Sequence, residues 1–385
     1  EVSVDPIFGD DAPPLADLRM TANNAPGLAR AFLKLHRVYR ETHERLASLD
    51  EALGRENSSM QSSPWEEVRD FFHYCDNYID AVDHAAEQFS KGSEGRMFDH
   101  SIEALKAIGV IVERKAASAL RIYDPQKKTL TLSTQVTEST ATFQILIQLA
   151  LLTQNDLLDA TLDSARFHTP AARDIAKLGL ANYFAGAALM PYTTFLLSAH
   201  KNRHDLEVLA DKFGASFEQV CHRLSTLQRP DQRGVPFFFV RVDQAGTITK
   251  RHSATSLQFA RFGGACPLWN VHRAFETPGR FLRQLAETPD GKRYFCLARD
   301  VTKSGGAWGA PVRRYAIGLG CEMRHASALV YTDDLDTSAN GTCEPIGISC
   351  RICERRNCHQ RSVPPLERDL QVNPNKRGIL PYQIN

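Results

Sequence analysis

The sequence predicts an α+β protein: a helical domain with a small sheet, followed by a mixed α/β domain with a C-terminal cysteine cluster. Three observations support this fold class. Apolar residues recur at helical spacing over most of residues 21–227, β-rich runs dominate after residue 236, and three cysteines crowd into residues 350–358. A length of 385 residues, with 43% hydrophobic and 24% charged residues, fits a folded protein of two to three domains.

Residues 1–63 predict a linker and a long connecting helix. Over residues 21–56 apolar side chains return at nearly helical spacing with charged residues between them, which is typical of an amphipathic helix. The Ser- and Asn-rich stretch 57–63 ends this pattern, and Pro64 suits the first turn of the next helix. The long helix is a candidate seam for a homo-oligomer.

Residues 64–230 predict the helical domain that contains the small sheet. Three β-rich runs predict the strands of that sheet: 111–112, 120–123 and 130–132. Helical spacing then returns in three segments: 142–153, 171–189 and 204–227. Proline and glycine punctuate residues 229–236 and mark the boundary to the next domain.

Residues 231–385 predict the mixed α/β domain. Residues 237–242 and 247–250 flank a turn that contains Gly246, so they predict a β-hairpin. Residues 269–275 predict a helix. Further strands are predicted in three segments: 293–301, 314–319 and 328–331.

Charge and hydropathy exclude two classes of protein. The chain has 46 Lys and Arg against 45 Asp and Glu, so a generally basic surface that coats nucleic acid is excluded and only local patches remain possible. It has no apolar run of about 18 residues, and its first 14 residues do not resemble a signal peptide. We therefore expect a cytoplasmic protein with no membrane partner. Because the first residue is Glu1 rather than Met, we also expect an N-terminal segment to be missing.

Three of the nine cysteines form a C-x2-C-x4-C group of Cys350, Cys353 and Cys358. An odd cysteine count without a secretory signal disfavours a disulfide framework and favours free thiols or a metal site. Zinc is one reading, but no second C-x2-C or H-x3-5-H is present, so His359 or a remote cysteine would have to complete its tetrahedral site. Ordinary thiols that bind no metal are another possibility.

An iron-sulfur cluster needs four thiolates, commonly three close in sequence and one remote that is followed by proline. Cys266-Pro267, which comes shortly after Gly263-Gly264, fits the remote position. Cys321, which follows Gly320, is the rival for the fourth ligand. Arginines around the local group would offset the negative charge of a thiolate-bound cluster. The predicted ligands are therefore Cys266, Cys350, Cys353 and Cys358.

The helical segment 143–152 lies where a zinc peptidase would carry H-E-x-x-H. In this resemblance to the ImmA/IrrE peptidase-like family, Ile147, Gln148 and Leu151 occupy the positions of the first His, the Glu and the second His. Without imidazoles there is no zinc, and an amide cannot act as a general base, so we expect no enzyme activity of this kind. Residues 206–227 resemble a helix-turn-helix, but their second helix carries few base-reading groups and is interpreted as part of the peptidase-like domain.

From about residue 65 to its end, the chain resembles the XRE-type, short-chain fatty acyl-CoA-responsive transcription regulators that contain an ImmA/IrrE-like domain. The features that carry the resemblance are the altered peptidase helix, the stretches 250–255 and 262–269, and the ending 350–361. The resemblance implies the effector-sensing part of a regulator of propionate and short-chain fatty acid catabolism through the methylcitrate cycle. It also implies a short-chain acyl-CoA effector, a 4Fe-4S cluster, and DNA contact only through an N-terminal helix-turn-helix domain that is absent here.

Coenzyme A carries phosphates and a flat adenine, so its site needs cationic side chains beside an aromatic wall. Lys250, Arg251 and Arg261 with Phe259 and Phe262 form one candidate cluster, and a solvated strand end is the alternative interpretation. A zinc- or cluster-containing enzyme acting on a CoA ester is the alternative function. We disfavour it because no nucleophile and base pair is recognisable.

Overall fold

The structure is a computed structural model that describes residues 14–52, 64–93, 95–165, 167–257, 259, 265–303, 308–309, 312–350, 353, 355–365, 370–375 and 378–384. The chain divides into two compact units, Glu1–Ser63 and Pro64–Asn385. The predicted division of the second unit at residue 230 stays a prediction. Among the described residues, no helix combines the length and apolar character that crossing a membrane requires.

The described part of the first unit contains two helices, α1 (Leu15–Asn24) and α2 (Pro26–Ala52). The predicted helix over 21–56 is therefore interrupted at Ala25, where Pro26 begins α2 at a position that proline favours. Large apolar side chains on both helices are exposed: Leu15, Met20, Leu28, Leu33, Leu35 and Val38.

The second unit begins with nine helices in the described part of the chain up to residue 224. They are α3 (Pro64–Tyr74), α4 (Asp80–Ser90), α5 (Met97–Ala107), α6 (Glu138–Thr153), α7 (Asn155–Asp163), α8 (Pro170–Leu189), α9 (Tyr192–Lys201), α10 (Leu206–Phe213) and α11 (Phe217–Leu224). Local chemistry sets several starts. Thr137 and Thr169 cap the first turns of α6 and α8, and Ser216 with Gln219 forms a capping box on α11.

A three-stranded sheet interrupts the helices, as predicted. Its strands are β1 (Ile111–Lys115), β2 (Arg121–Asp124) and β3 (Thr129–Ser133), in the order β1-β3-β2. β1 runs parallel to β3 and β2 runs antiparallel to it. The turn between β2 and β3 forms because the Asp124 carboxylate accepts hydrogen bonds from the backbone N–H groups of Gln126 and Lys127.

The second half contains a six-stranded sheet in the order β5-β4-β8-β7-β6-β9. Its strands are β4 (Phe238–Asp243), β5 (Ile248–Ser253), β6 (Leu282–Glu287), β7 (Arg293–Lys303), β8 (Arg313–Glu322) and β9 (Glu344–Pro345). A short helix, α12 (Asn270–Arg273), and a small ribbon of β10 (Leu370–Gln371) and β11 (Gln383–Ile384) complete the described elements. The predicted hairpin is confirmed as β4 and β5, and the α+β fold class is confirmed.

The predicted strand over 328–331 is wrong, because two 3-10 helices, Met323–Ala328 and Val330–Thr332, cover this segment. Arg203 explains the difference. Its guanidinium donates to the carbonyl oxygens of Ser327 and Leu329, and its own carbonyl accepts from the Val330 N–H. The backbone groups that a strand would pair are therefore occupied by Arg203.

The two faces of the six-stranded sheet pack against different layers. Phe239, Leu297, Leu319 and Cys321 belong to the hydrophobic core formed with the helices. Their neighbours along the strands, Phe238, Val240, Cys296 and Ala298, belong to a second core on the opposite face. This second core also contains Cys266, Trp269 and Val271. The alternation of side chains along each strand thus makes the sheet a wall between the helical core and the segment that carries Cys266.

Candidate cysteine-lined site

Four cysteines from two distant segments line one pocket. They are Cys266, Cys350, Cys353 and Cys358, the four ligands predicted from the sequence. Two arginines, Arg355 and Arg361, line the same pocket. The structure therefore brings the remote cysteine and the local group together.

Cys266 is held against the sheet by the residues that follow it. Buried Trp269 stacks on Phe238 of β4, with 5.9 Å between the ring centroids. Gln284, a buried residue of β6, accepts from the Asn270 N–H at 3.1 Å and donates to the Leu268 carbonyl at 2.8 Å. These contacts fix the backbone just after Cys266.

The Cys266 sulfur is buried and already accepts backbone hydrogen bonds. Burial raises the pKa of the Cys266 thiol, while the N–H groups of Leu268 and Gly347 favour its thiolate. Gly347 also permits close packing, since a Cβ at that position would lie 2.9 Å from the Cys353 sulfur. Neither Gln284 nor Gly347 was predicted from the sequence to belong to the site. The sequence signal for Gly347 was its position three residues before Cys350, and no local pattern indicated a role for Gln284.

Arg361 organises the local cysteine group from inside the fold. It is 7% exposed, and its two Nη atoms donate to the carbonyl oxygens of Cys350, Cys353 and Arg355 at 3.0, 3.2 and 2.6 Å. The Ser362 N–H approaches the Cys350 sulfur at 3.5 Å. A loop with little regular structure is thereby fixed by one buried cation.

Cys321, the rival ligand, lies on the other face of the sheet. It is fully buried in β8 within the helical core and does not line the pocket. Burial raises the pKa of the Cys321 thiol to about 12. Cys296 is buried in β7, and burial likewise raises its pKa. His359, the alternative zinc ligand, is exposed and is not among the residues that line the pocket.

The donor set has the chemistry that an iron-sulfur cluster needs, four thiols from two segments at one pocket. In a 4Fe-4S cluster each thiolate binds a different iron, so the sulfurs surround a larger body. Four thiols, backbone N–H groups directed at sulfur and two lining arginines suit such an anionic group.

The structure separates the residues predicted to bind coenzyme A. Lys250 and Arg251 are neighbours on β5, so their side chains leave opposite faces of the sheet. Lys250 lies over the ring of Phe239 at 5.8 Å, and burial lowers its pKa to about 8 although the Glu218 carboxylate opposes this. Phe259 packs against Trp269 on the cysteine side. Arg261 and Phe262 lie outside the described residues.

A buried histidine pair lies on the Lys250 side of β5 and was not foreseen from the sequence. The Nε2 atoms of His222 (α11) and His252 (β5) are 2.9 Å apart, and His252 Nδ1 lies 2.6 Å from Asn77 Oδ1. Burial, assisted by nearby Lys250, lowers the pKa of His252 to about 3. Because the amide oxygen of Asn77 can only accept, the His252 proton is on Nδ1.

The altered peptidase helix and the helix-turn-helix are both structural. Ile147 and Gln148 are buried in α6, and Leu151 packs partly buried against the same core. Gly214 adopts a left-handed conformation, φ 57°, between α10 and α11. On α11, Arg223 is buried against Asp83, and His222 contacts His252. The groups of α11 that could contact a base are thus engaged inside the fold.

The chain joins a helical part, whose α6 carries Ile147 and Gln148, to a sheet-rich part with a cysteine-lined pocket. Residues 110–225 match the IrrE N-terminal-like domain, and residues 226–382 match the C-terminal domain of the short-chain fatty acyl coenzyme A regulators.

The chain is 67% identical to the propionyl-CoA carboxylase regulator of Cereibacter sphaeroides, over 100% of this chain and 83% of that protein. It is 40% identical to the HTH-type transcriptional regulator PrpR of Mycobacterium tuberculosis, over 93% of this chain and 75% of PrpR. A solved Mycobacterium tuberculosis transcriptional regulator matches with a TM-score of 0.80 and 43% identity, over 84% of this chain and 100% of that one.

The chain belongs to the short-chain fatty acyl-CoA regulator family, a family of transcription regulators. The resemblance predicted from the sequence is confirmed. The relatives are named as regulators, which supports the expectation that the chain is a regulator rather than an enzyme.

Proposed function

We propose that this chain is the effector-sensing part of a transcription regulator of propionate and short-chain fatty acid catabolism, and that it binds a short-chain acyl-CoA and a 4Fe-4S cluster. The observation that carries the proposal is the pocket in which Cys266 meets Cys350, Cys353 and Cys358. The names of the relatives support the metabolic assignment.

The four cysteines would hold the cluster, which when bound supplies a redox-active group. The chain's own residues hold the ligands in place. Gln284 fixes the segment after Cys266, and Arg361 fixes the loop that carries the other three cysteines.

Iron and sulfide analysis of anaerobically purified chain tests the cluster. We expect about four irons and four sulfides per chain, as for four-thiolate cubane clusters. Cys266→Ser should lose most of the iron, whereas the matched variant Cys321→Ser should retain it because Cys321 lies on the opposite face of the sheet. Stoichiometric zinc without sulfide, or iron loss in Cys321→Ser alone, would contradict the proposal.

Calorimetric titration with propionyl-CoA tests the effector. The ligand should bind, raise the melting temperature through native-state binding, and be recovered unchanged. We expect Lys250→Met to weaken binding more than Arg251→Met, because Lys250 faces the aromatic ring of Phe239. Conversion of propionyl-CoA into a product would instead favour the alternative, an enzyme acting on a CoA ester.

We propose that α2 is the seam of a homo-oligomer. Leu28 and Leu35 are seven residues apart, so they share one face of α2, and they are 65% and 68% exposed. Light scattering should show a dimer that Leu28→Glu/Leu35→Glu dissociates and Arg30→Glu, on the opposite face, does not. A wild-type monomer would refute this assignment.

DNA contact is proposed to need a segment outside this chain. Because α11 is engaged within the fold, the chain alone should bind DNA weakly and without sequence preference, and lose that binding at about 0.15 M salt. Sequence-specific, nanomolar binding in a gel-shift titration would refute this.

A further inference from the structure

Two buried N–H donors beside the cysteine pocket are without a partner in the described part of the chain. They are the Nε atoms of Arg355 and Arg361. Both arginines line the pocket together with the four cysteines. A buried donor left unsatisfied costs about 1–3 kcal/mol, so two of them at one pocket indicate a group that accepts hydrogen bonds there.

Other donors of each guanidinium bind backbone carbonyl oxygens. The Nη atoms of Arg361 donate hydrogen bonds to the carbonyl oxygens of Cys350, Cys353 and Arg355. Because the guanidinium is a rigid plane, these contacts fix the direction of the remaining Nε–H.

Arg355 is held to the sheet through one Nη atom. One Nη atom donates to the carbonyl oxygen of Glu287 at 2.9 Å and to that of Ile346 at 3.4 Å. Glu287 and Ile346 belong to the β6–β9 edge of the sheet, so Arg355 is anchored to a rigid element. Both cations are therefore held in place before any ligand arrives.

We propose that the Nε–H groups of Arg355 and Arg361 donate hydrogen bonds to the sulfur atoms of the cluster held by the four cysteines, and that they raise its reduction potential. This inference rests on the proposed cluster. A cluster gains one negative charge on one-electron reduction, so a fixed cationic donor stabilises the reduced form more than the oxidised form. The potential thus depends on two residues that ligate no iron.

Lysine substitution separates the hydrogen bond from the charge. Arg361→Lys and Arg355→Lys keep the positive charge but lose the rigid Nε–H donor. At a fixed potential near the midpoint, each should lower the ratio of reduced to oxidised cluster about tenfold, which is about 59 mV for a one-electron couple. Redox titration followed by electron paramagnetic resonance measures this ratio.

Arg293 supplies a matched control. It also binds backbone carbonyls, those of Ser338, Ala339 and Gly341, but its Nε donates to the Cys343 sulfur, and Arg293 does not line the pocket. Arg293→Lys should therefore leave the midpoint potential unchanged. An equal shift in Arg293→Lys and Arg361→Lys would overturn the inference, because it would indicate a general effect of weakening the fold.

A second measurement needs no variant. In wild-type protein labelled with 15N-arginine, the reduced cluster should show hyperfine coupling to arginine nitrogen. Absence of that coupling with a normal cluster, or unchanged potentials in both pocket variants, would overturn this inference alone. Absence of iron and sulfide from the wild-type chain would overturn both this inference and the proposed function.

Discussion

Replacing Asp83 with alanine should destabilise the Pro64–Asn385 unit more than any change at a surface carboxylate. Asp83 is fully buried in α4. It accepts hydrogen bonds from Arg223 at 2.6 and 3.3 Å, from Arg229 at 3.1 Å and from the Tyr183 hydroxyl at 2.8 Å. One carboxylate therefore joins α4, α8, α11 and the segment after α11.

The expected loss of stability follows from the buried Arg223 charge that Asp83→Ala leaves without its partner. Burial alone would lower the pKa of Arg223, but the Asp83 carboxylate holds it above its ordinary value, so Arg223 carries its charge inside the protein. A buried charge that loses its partner costs about 3–5 kcal/mol. At an m value of about 3 kcal/mol/M in urea, the midpoint of unfolding should fall by about 1–1.7 M.

Urea titration followed by circular dichroism checks this value. Asp159→Ala is the matched control, because Asp159 pairs with Lys177 at 2.8 Å and both side chains are partly exposed, to 35% and 26%. We expect its midpoint to stay near that of the wild type. A loss below about 1 kcal/mol for Asp83→Ala would refute the view that this carboxylate neutralises a buried charge.

Two further outcomes follow from the structure. Gly347→Ala should lower the iron content, because its new Cβ would lie 2.9 Å from the Cys353 sulfur. Gly186→Ala is the control and should leave iron content and stability intact, because no atom lies within 4 Å of its new Cβ. Equal iron content in both variants would contradict this prediction. His252 should remain neutral at pH 5, with its proton on Nδ1 facing Asn77. Its pKa of about 3 in the folded protein lies below the ordinary value of about 6.5. The stability that neutral His252 contributes above about pH 6.5 should therefore be lost as the pH falls toward 3. Nitrogen-15 NMR of the imidazole checks this, and an imidazolium signal at pH 5 would refute it.

Patterns close in sequence predicted much of the candidate site. The C-x2-C-x4-C spacing and the proline after Cys266 identified the four cysteines that the structure places at one pocket. The placement of Lys250 and Arg251 on opposite faces also follows from the two-residue period of a strand, whereas the predicted cluster grouped them by charge alone.

Contacts between distant segments account for what was missed. β6 escaped prediction because buried Gln284 stands where its alternation calls for an apolar residue, and its partners are on other segments. His222 and His252 are 30 residues apart, and only the packing of α11 on β5 joins them. The 3-10 helices replaced a strand because of Arg203, more than 120 residues earlier.

The wall formed by the six-stranded sheet is one backbone layer thick. On β4, Phe238 contacts Trp269, three residues after Cys266, while Phe239, the next residue, contacts His222 and His252. A single peptide unit of β4 separates these two contacts. The side chains of Phe238 and Phe239 therefore connect the segment that carries Cys266 with the helical core through one strand.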